Sequence, residues 1–428
     1  MSIHYACVLP HPPLILPEIG RGEEHKIQHT IESYQTIANE IARIKPETIV
    51  LVSPHAPMFR DGFFLAQGIE DTGDMGRFNT PQLSYTYPLD AEFNDALIKL
   101  NPDIRPSVME LDHGSIVPLA LINETYASFK LVRIGISGLN RDHHRELGKA
   151  IQTVANQLKR KIVFIASGDL SHRLKADGPY GFNPDGPRFD QKIKHILASN
   201  HFDELFDLPS NQCHEAGECG YRSLLVMAGA LAELDIKSEV LSYEAPFGVG
   251  YLCASIHIQD ELVSLALKTI EHYVKDHSMI DPDQIKSIDP HMQAACFVSL
   301  HKQNHLRGCI GTLEPSQRNL VHEIIHNAVA ACAKDPRFNP VEAKELADLE
   351  ITVDVLSPAE RTTRKHLDPK RFGVIVRSSW RTGVLLPDLD GVNTVDEQLN
   401  IALRKAGIDP KDDYAIERFE VIRHHAYL

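Results

Sequence analysis

Four short runs rich in β-branched residues, at positions 5–9, 48–53, 130–137 and 161–166, are separated by longer stretches with helical spacing, such as 27–44 and 145–158. This alternation constrains the chain more than any other feature, because strands that alternate with helices build an α/β sheet. The runs are almost continuously apolar, as strands covered on both faces must be, so a mainly parallel or mixed sheet is expected. Ligands of such sheets gather beyond the carboxyl ends of the strands. The rhythm changes near residue 259. Residues 251–258 read as a strand, Gln259 and Asp260 as a helix cap, and 261–274 as an amphipathic helix carrying Leu262, Leu265, Ala266, Ile270 and Tyr273 on one face. Strands at 294–301, 306–312, 348–356 and 372–386, with a helix at 319–333, then predict a smaller α+β domain. Two domains, 1–258 and 259–428, are expected, since 428 residues exceed what one hydrophobic core usually serves.

Composition excludes some partners. A formal net charge of -14 without a compensating basic run disfavours a phosphate backbone, so nucleic acid is not expected as a partner. Seven scattered cysteines do not form a disulfide framework, and Cys213 with Cys219 lacks the spacing of a zinc knuckle, which fits a reducing compartment. The start, Met1-Ser2-Ile3-His4, has no basic-then-apolar leader, and no window approaches eighteen uninterrupted apolar residues. A soluble, cytoplasmic protein with no membrane partner is the expectation.

Three strand-like runs lead into histidines: Cys7-Val8-Leu9-Pro10 into His11, Val50-Leu51-Val52-Ser53-Pro54 into His55, and Phe164 through Ser171 into His172. A histidine after a strand often marks only a polar loop, but three at the same edge of one sheet point to a shared crevice. A fourth, His113, stands at a turn entering an apolar helix, where it can line the crevice or simply belong to the helix cap.

Pro10-His11-Pro12-Pro13, Ser53-Pro54-His55-Ala56-Pro57, Asp112-His113-Gly114-Ser115 and Ser167-Gly168-Asp169-Leu170-Ser171-His172 together resemble the class III, LigB-type extradiol ring-cleaving dioxygenases and the related Memo proteins. The resemblance implies an oxidoreductase with a non-haem metal held by His11 and His55, His172 as acid/base, and His113 lining the pocket. It further implies Fe(II), with zinc or copper as alternatives, and a catechol-like aromatic substrate with dioxygen. The chemistry is coherent: two imidazoles and a carboxylate on one face of Fe(II) leave positions open for substrate and dioxygen, and a histidine can exchange the catechol protons near neutral pH. Asp169 is either a carboxylate orienting a neighbouring imidazole or a turn aspartate capping local amides.

The third ligand is expected in Glu215-Ala216-Gly217-Glu218-Cys219-Gly220, just before an apolar helix at 224–234. Glu218 is the nearest match to the dioxygenase glutamate, and a carboxylate suits Fe(II) and resists oxidation. The competing assignments are Cys219, which matches the Memo pattern and suits a softer ion, and a Glu218 that merely complements the helix dipole. Glu244 reads as a solvated strand-end residue. The turn-rich segment 175–187, with Tyr180 and Phe182, is a lid or a plain surface loop.

In the second half, Leu306-Arg307-Gly308-Cys309-Ile310-Gly311-Thr312, Asp335-Pro336-Arg337-Phe338 and Leu385-Leu386-Pro387 resemble the AMMECR domain family. Arg307 and Cys309 are candidates for a reactive or anion-binding turn, against the alternative of Cys309 as a buried small hydrophobe. Both domains in this order resemble the AmmeMemoRadiSam system proteins, which implies a Memo protein and a radical SAM enzyme as partners. The alternatives are a Memo-like metalloprotein with redox or hydrolytic instead of dioxygenase chemistry, and a partner-binding scaffold whose pocket is vestigial.

Overall fold

The computed structural model describes residues 2–285, 288–303, 305–389 and 391–425. The chain divides into two compact units at Ile258/Gln259. The first holds strands β1 (Ile3–Leu9), β2 (Thr48–Ser53), β3 (Phe63–Ala66), β4 (Glu70–Met75), β5 (Thr80–Pro88), β6 (Ile104–Ser107), β7 (Lys130–Gly135), β8 (Ile162–Ser167), β9 (Ile236–Glu244) and β10 (Tyr251–Ile258). Eight of them form one sheet in the order β6-β3-β7-β2-β8-β1-β10-β9, while β4 and β5 make a separate hairpin. The four central strands are mutually parallel, whereas β3 runs antiparallel to β7, and β10 and β9 complete the other edge antiparallel. The sheet is therefore mixed.

Alternation along the strands builds two cores. Ala6, Val8, Val50, Val52, Phe164 and Ala166 face helices Arg141–Leu158, Asp185–Ser199 and Tyr221–Ala230. Their neighbours Cys7, Leu9, Ile49, Leu51, Val163 and Ile165 face helices Gln28–Ile44 and His113–Asn123. Side chains of a strand point to opposite faces in turn, so each strand must be apolar throughout. Glu244 departs from its expected solvated role: its carboxylate accepts from both the amide and the hydroxyl of Thr30, 2.8 Å each, tying β9 to the long first helix.

The second unit is built on an antiparallel sheet, ordered β12-β11-β13-β17-β15-β16, with β14 paired to β17. Its strands are β11 (Ala295–Lys302), β12 (His305–Gly311), β13 (Leu349–Leu356), β14 (Glu360–Thr362), β15 (Phe372–Ser378), β16 (Arg381–Leu385) and β17 (Ala415–His425). Asp260 caps helix Glu261–Asp276 by accepting from Leu262 and Val263. The segment read as one strand over 372–386 is a hairpin, turned at Ser379 with φ 54. No helix among the described residues is long and apolar enough to cross a membrane.

Candidate metal centre

Because β1, β2, β7 and β8 are parallel and in register, with Leu9 opposite Ser167 and Ser53 opposite Gly135, their carboxyl ends share one edge. His11 and His55 each stand two residues beyond a strand end, as does Asp169. Helix His113–Asn123 brings His113 in from the second face. Asp112 caps that helix by accepting from the Ser115 amide, and also receives the Ser53 hydroxyl and the Arg133 guanidinium.

The ligand atoms of His11, His55 and His113 lie within 4.8 Å of one another, and so do those of His11, Asp169 and Cys219. His11 belongs to both sets. Its Nε2 is 3.0 Å from Nε2 of His55 and 3.6 Å from Sγ of Cys219. The tautomer follows from the neighbours. Ser167 Oγ donates to the Gly114 carbonyl, so it accepts from Nδ1–H of His11 at 2.8 Å and leaves a lone pair on Nε2 facing the cluster.

Charge fits a cation here. Burial pushes the His11 imidazole well down, with His55, His113 and His172 adding, and it lowers His55 as well. His113 and His172 are held down to about 4, again by burial first. Burial pushes the Asp169 carboxyl up to about 7 and the Cys219 thiol well above its usual value, with Asp169 adding to the latter. Neutral imidazoles and buried latent anions are the donors a divalent ion uses, since its charge reverses the preference of the thiol and the carboxyl. The Asp169 amide donates to Sγ of Cys219 at 3.2 Å, a contact that supports a thiolate.

Cys219 reaches this position through a close backbone approach. A Cβ on Gly168 would stand 2.1 Å from Cα of Gly220, so only glycine lets the 217–220 loop lie against the end of β8. The amides of Cys219 and Gly220 then both donate to the Asp169 carbonyl. Gly168→Ala is expected to cost about 1–3 kcal/mol and to displace Cys219. Chemical denaturation together with metal titration checks both effects, and an unchanged protein would count against this packing.

Glu218, expected as the third ligand, belongs to neither set. Its Oε2 accepts from the Tyr221 amide at 2.6 Å, at the start of helix Tyr221–Ala230, and it lines a separate cavity. Adjacent side chains diverge at a helix start, so placing Cys219 at the cluster sends Glu218 elsewhere. Asp169 does hold the His11 segment, but by accepting from the His11 backbone amide at 2.8 Å, while Ser167 is what orients the ring. The role of Ser167 was legible only as a polar residue closing an apolar strand.

His172 lies close enough to His11 and His55 to lower their imidazoles or be lowered by them, and its ring stands 5.1 Å from that of Tyr180. Phe182 of the same loop is 55% exposed. A histidine with a depressed folded-state pKa withdraws stability as pH falls from about 6.5 toward 4, because the unfolded chain binds the proton first. Asp169, with a raised pKa, acts in the opposite sense, and its contribution is lost as pH rises through about 7. His172→Gln in the metal-free protein should therefore gain about 2 kcal/mol relative to the parent between pH 7.5 and pH 5. Urea unfolding at both pH values measures this, and a constant difference would mean the imidazole is not desolvated.

In the second unit, Arg307 and Cys309 lie within β12 rather than in a turn. Arg307 is committed to Glu345, at 2.9 and 3.1 Å, and to the Asn339 carbonyl, which leaves it a bracing role instead of an open anion site. Cys309 accepts from the Ser299 hydroxyl at 3.2 Å and lines a cavity of about 430 Å³.

Comparison with known proteins agrees with this architecture. Residues 5–254 match the family model of the catalytic LigB subunit of aromatic ring-opening dioxygenase, and residues 263–424 match AMMECR1. Protein CA_C1420 of Clostridium acetobutylicum is 40% identical, covering 99% of both chains. A Thermotoga maritima protein is 49% identical over 38% of this chain and 95% of its own length. An uncharacterized protein, PH0010 from Pyrococcus horikoshii, has a solved structure with 29% identity and TM-score 0.36, covering 39% of this chain and 95% of that one. A LigB-family domain followed by an AMMECR1 domain, with a relative matched over 99% of both chains, places this chain in the AmmeMemoRadiSam family.

Proposed function

We propose that the first unit is a mononuclear metal centre at His11, with His55 on one side and Cys219 on the other, that oxidises a small, planar, bidentate aromatic substrate using dioxygen. Copper is the ion this donor set favours. The observation that carries the reading is the exchange of roles in the 217–220 loop: Cys219 stands 3.6 Å from His11 Nε2 while Glu218 caps a helix. Two imidazoles with one thiolate suit copper better than Fe(II), and the thiolate supplies the negative charge that three imidazoles alone lack. When bound, the ion supplies Lewis acidity and a redox couple.

The chain's own residues do the rest. Ser167 fixes the His11 tautomer. The Asp169 amide holds Sγ of Cys219. His113 and His172, neutral at physiological pH, accept hydrogen bonds from substrate hydroxyls and orient them, and Phe78 and Tyr180 flank these two rings, with centroids 5.3 and 5.1 Å away. One observation favours a second reading, Fe(II)-dependent ring cleavage: the Asp169 carboxylate shares a set of converging ligand atoms with His11 and Cys219, and a carboxylate suits Fe(II).

Metal analysis of anaerobically purified protein and its Cys219→Ser, Glu218→Gln, His113→Gln and Asp169→Asn variants separates the readings. The expected result is stoichiometric copper with a thiolate-to-copper absorption band, lost only in Cys219→Ser. Iron retained in Cys219→Ser but lost in Asp169→Asn, with catechol-dependent oxygen uptake, would replace it with the ring-cleavage reading.

A further inference from the structure

The cavity lined by Glu218 contains none of the residues of the metal cluster. It has a volume of about 800 Å³, within the roughly 300–1,000 Å³ of small-molecule sites. Three guanidinium groups meet there, Arg141, Arg173 and Arg222, in a chain whose net charge is -14. Arg222 makes no hydrogen bond or salt bridge among the described residues. Arg141 is held in place, donating to the Phe206 carbonyl at 2.8 Å and to Ser210 Oγ at 3.0 Å while lying 5.4 Å over the Tyr221 ring. Two of its five donors are used, so a rigid fork with free N–H groups remains. Arg173 is braced by the Glu215 carbonyl and carboxylate.

The helices Arg141–Leu158 and Tyr221–Ala230 both begin at this cavity, the first capped by Asn140, which accepts from the His143 amide, and the second by Glu218, which accepts from the Tyr221 amide. Their amino-terminal dipole ends add to the guanidinium charge. The acids lining the cavity are Asp142 and Glu218, and Glu215 is paired with Arg173. Apolar walls come from Leu139, Leu225 and Phe206.

We propose that this cavity is a binding site for a small organic oxyanion, a carboxylate or phosphate monoester carrying an apolar body, gripped by Arg141, Arg173 and Arg222. The oxyanion takes the guanidinium N–H groups, and the body lies against the apolar walls and the Tyr221 side. The site stands independently of the metal assignment. The adjacent residues Glu218 and Cys219 line the cavity and the cluster respectively, so an occupant here would share one loop with the metal centre.

Phenyl phosphate and benzoate, titrated calorimetrically into the full chain at fixed ionic strength, test the proposal and tell phosphate from carboxylate. At least one should bind saturably, with affinity reduced about tenfold or more in Arg222→Glu, since a charge-assisted guanidinium pair contributes on the order of that factor. Arg188→Glu, the same charge change at an exposed position elsewhere, should leave binding unchanged. So should His11→Ala. Absence of saturable binding for both probes below about 10 mM, equal binding in Arg222→Glu and the parent, or loss of binding in His11→Ala, which would put the anion on the metal, overturns the proposal.

Discussion

Alanine at His11 or His55 is expected to leave a folded protein that no longer holds metal at stoichiometric levels. Each imidazole is kept neutral by burial, and His11 presents its Nε2 lone pair to the cluster because its Nδ1–H donates to Ser167 Oγ. Structural zinc sites draw about 10–16 kcal/mol from four ligands, so each ligand accounts for roughly 3–4 kcal/mol, or about 10²–10³ in affinity. His11 is 2% exposed and sits between two ligand sets, so its loss should be the larger. Ser167→Ala should weaken binding by about 10–100-fold, because the ring then loses the partner that fixes its tautomer. Competition with a chromogenic chelator measures all three, with circular dichroism as the control for folding. Full metal retention in both histidine variants would remove the metal-centre assignment.

The largest loss of stability is expected from Arg133. Its side chain is wholly buried, 0% exposed, and donates to Asp71 at 2.6 and 3.1 Å, to Asp112 at 3.1 Å and to the Met109 carbonyl at 2.7 Å. Burial pushes the Asp71 carboxyl up, and the Arg133 hydrogen bond and charge oppose that shift. Arg133→Met removes the only cation in this set and leaves two carboxylates facing a low-dielectric interior. Breaking a buried ion pair in this way costs about 3–5 kcal/mol. The effect reaches the site, because Asp112 caps the helix that begins at His113. Thermal and urea unfolding should show the loss, and the double variant Arg133→Met/Asp71→Asn should recover part of it. A single variant as stable as the parent would mean that water already solvates these groups.

Much of the scaffold was legible. The apolar runs at 48–53 and 251–258 are strands with those bounds, and two of the three histidines placed after strand ends, His11 and His55, meet in one cluster of ligand atoms together with His113. Less legible were β4 and β5, whose exposed, charged residues carry no core signal, and β17, which is stabilised by its neighbours β13 and β15 more than by its own pattern. The hairpin inside 372–386 was hidden because a serine occupies the left-handed turn position where glycine or asparagine would have announced it.

The sequence by itself determined the class of each unit and the set of donors available to the site. Periodicity is a local property of the chain, and an ordered series of histidines after apolar runs survives any detail of packing. Which donors converge was decided by tertiary structure. Glu218 and Cys219 are neighbours in the chain, and either could serve as the third ligand on sequence alone. Only the contact of Gly168 with Gly220, and the Asp169 backbone that receives the loop, turn the thiol toward His11 and the carboxylate toward a helix amide. Arg307 shows the same division: its charge is written in the sequence, but its pairing with Glu345, 38 residues away, exists only in the fold.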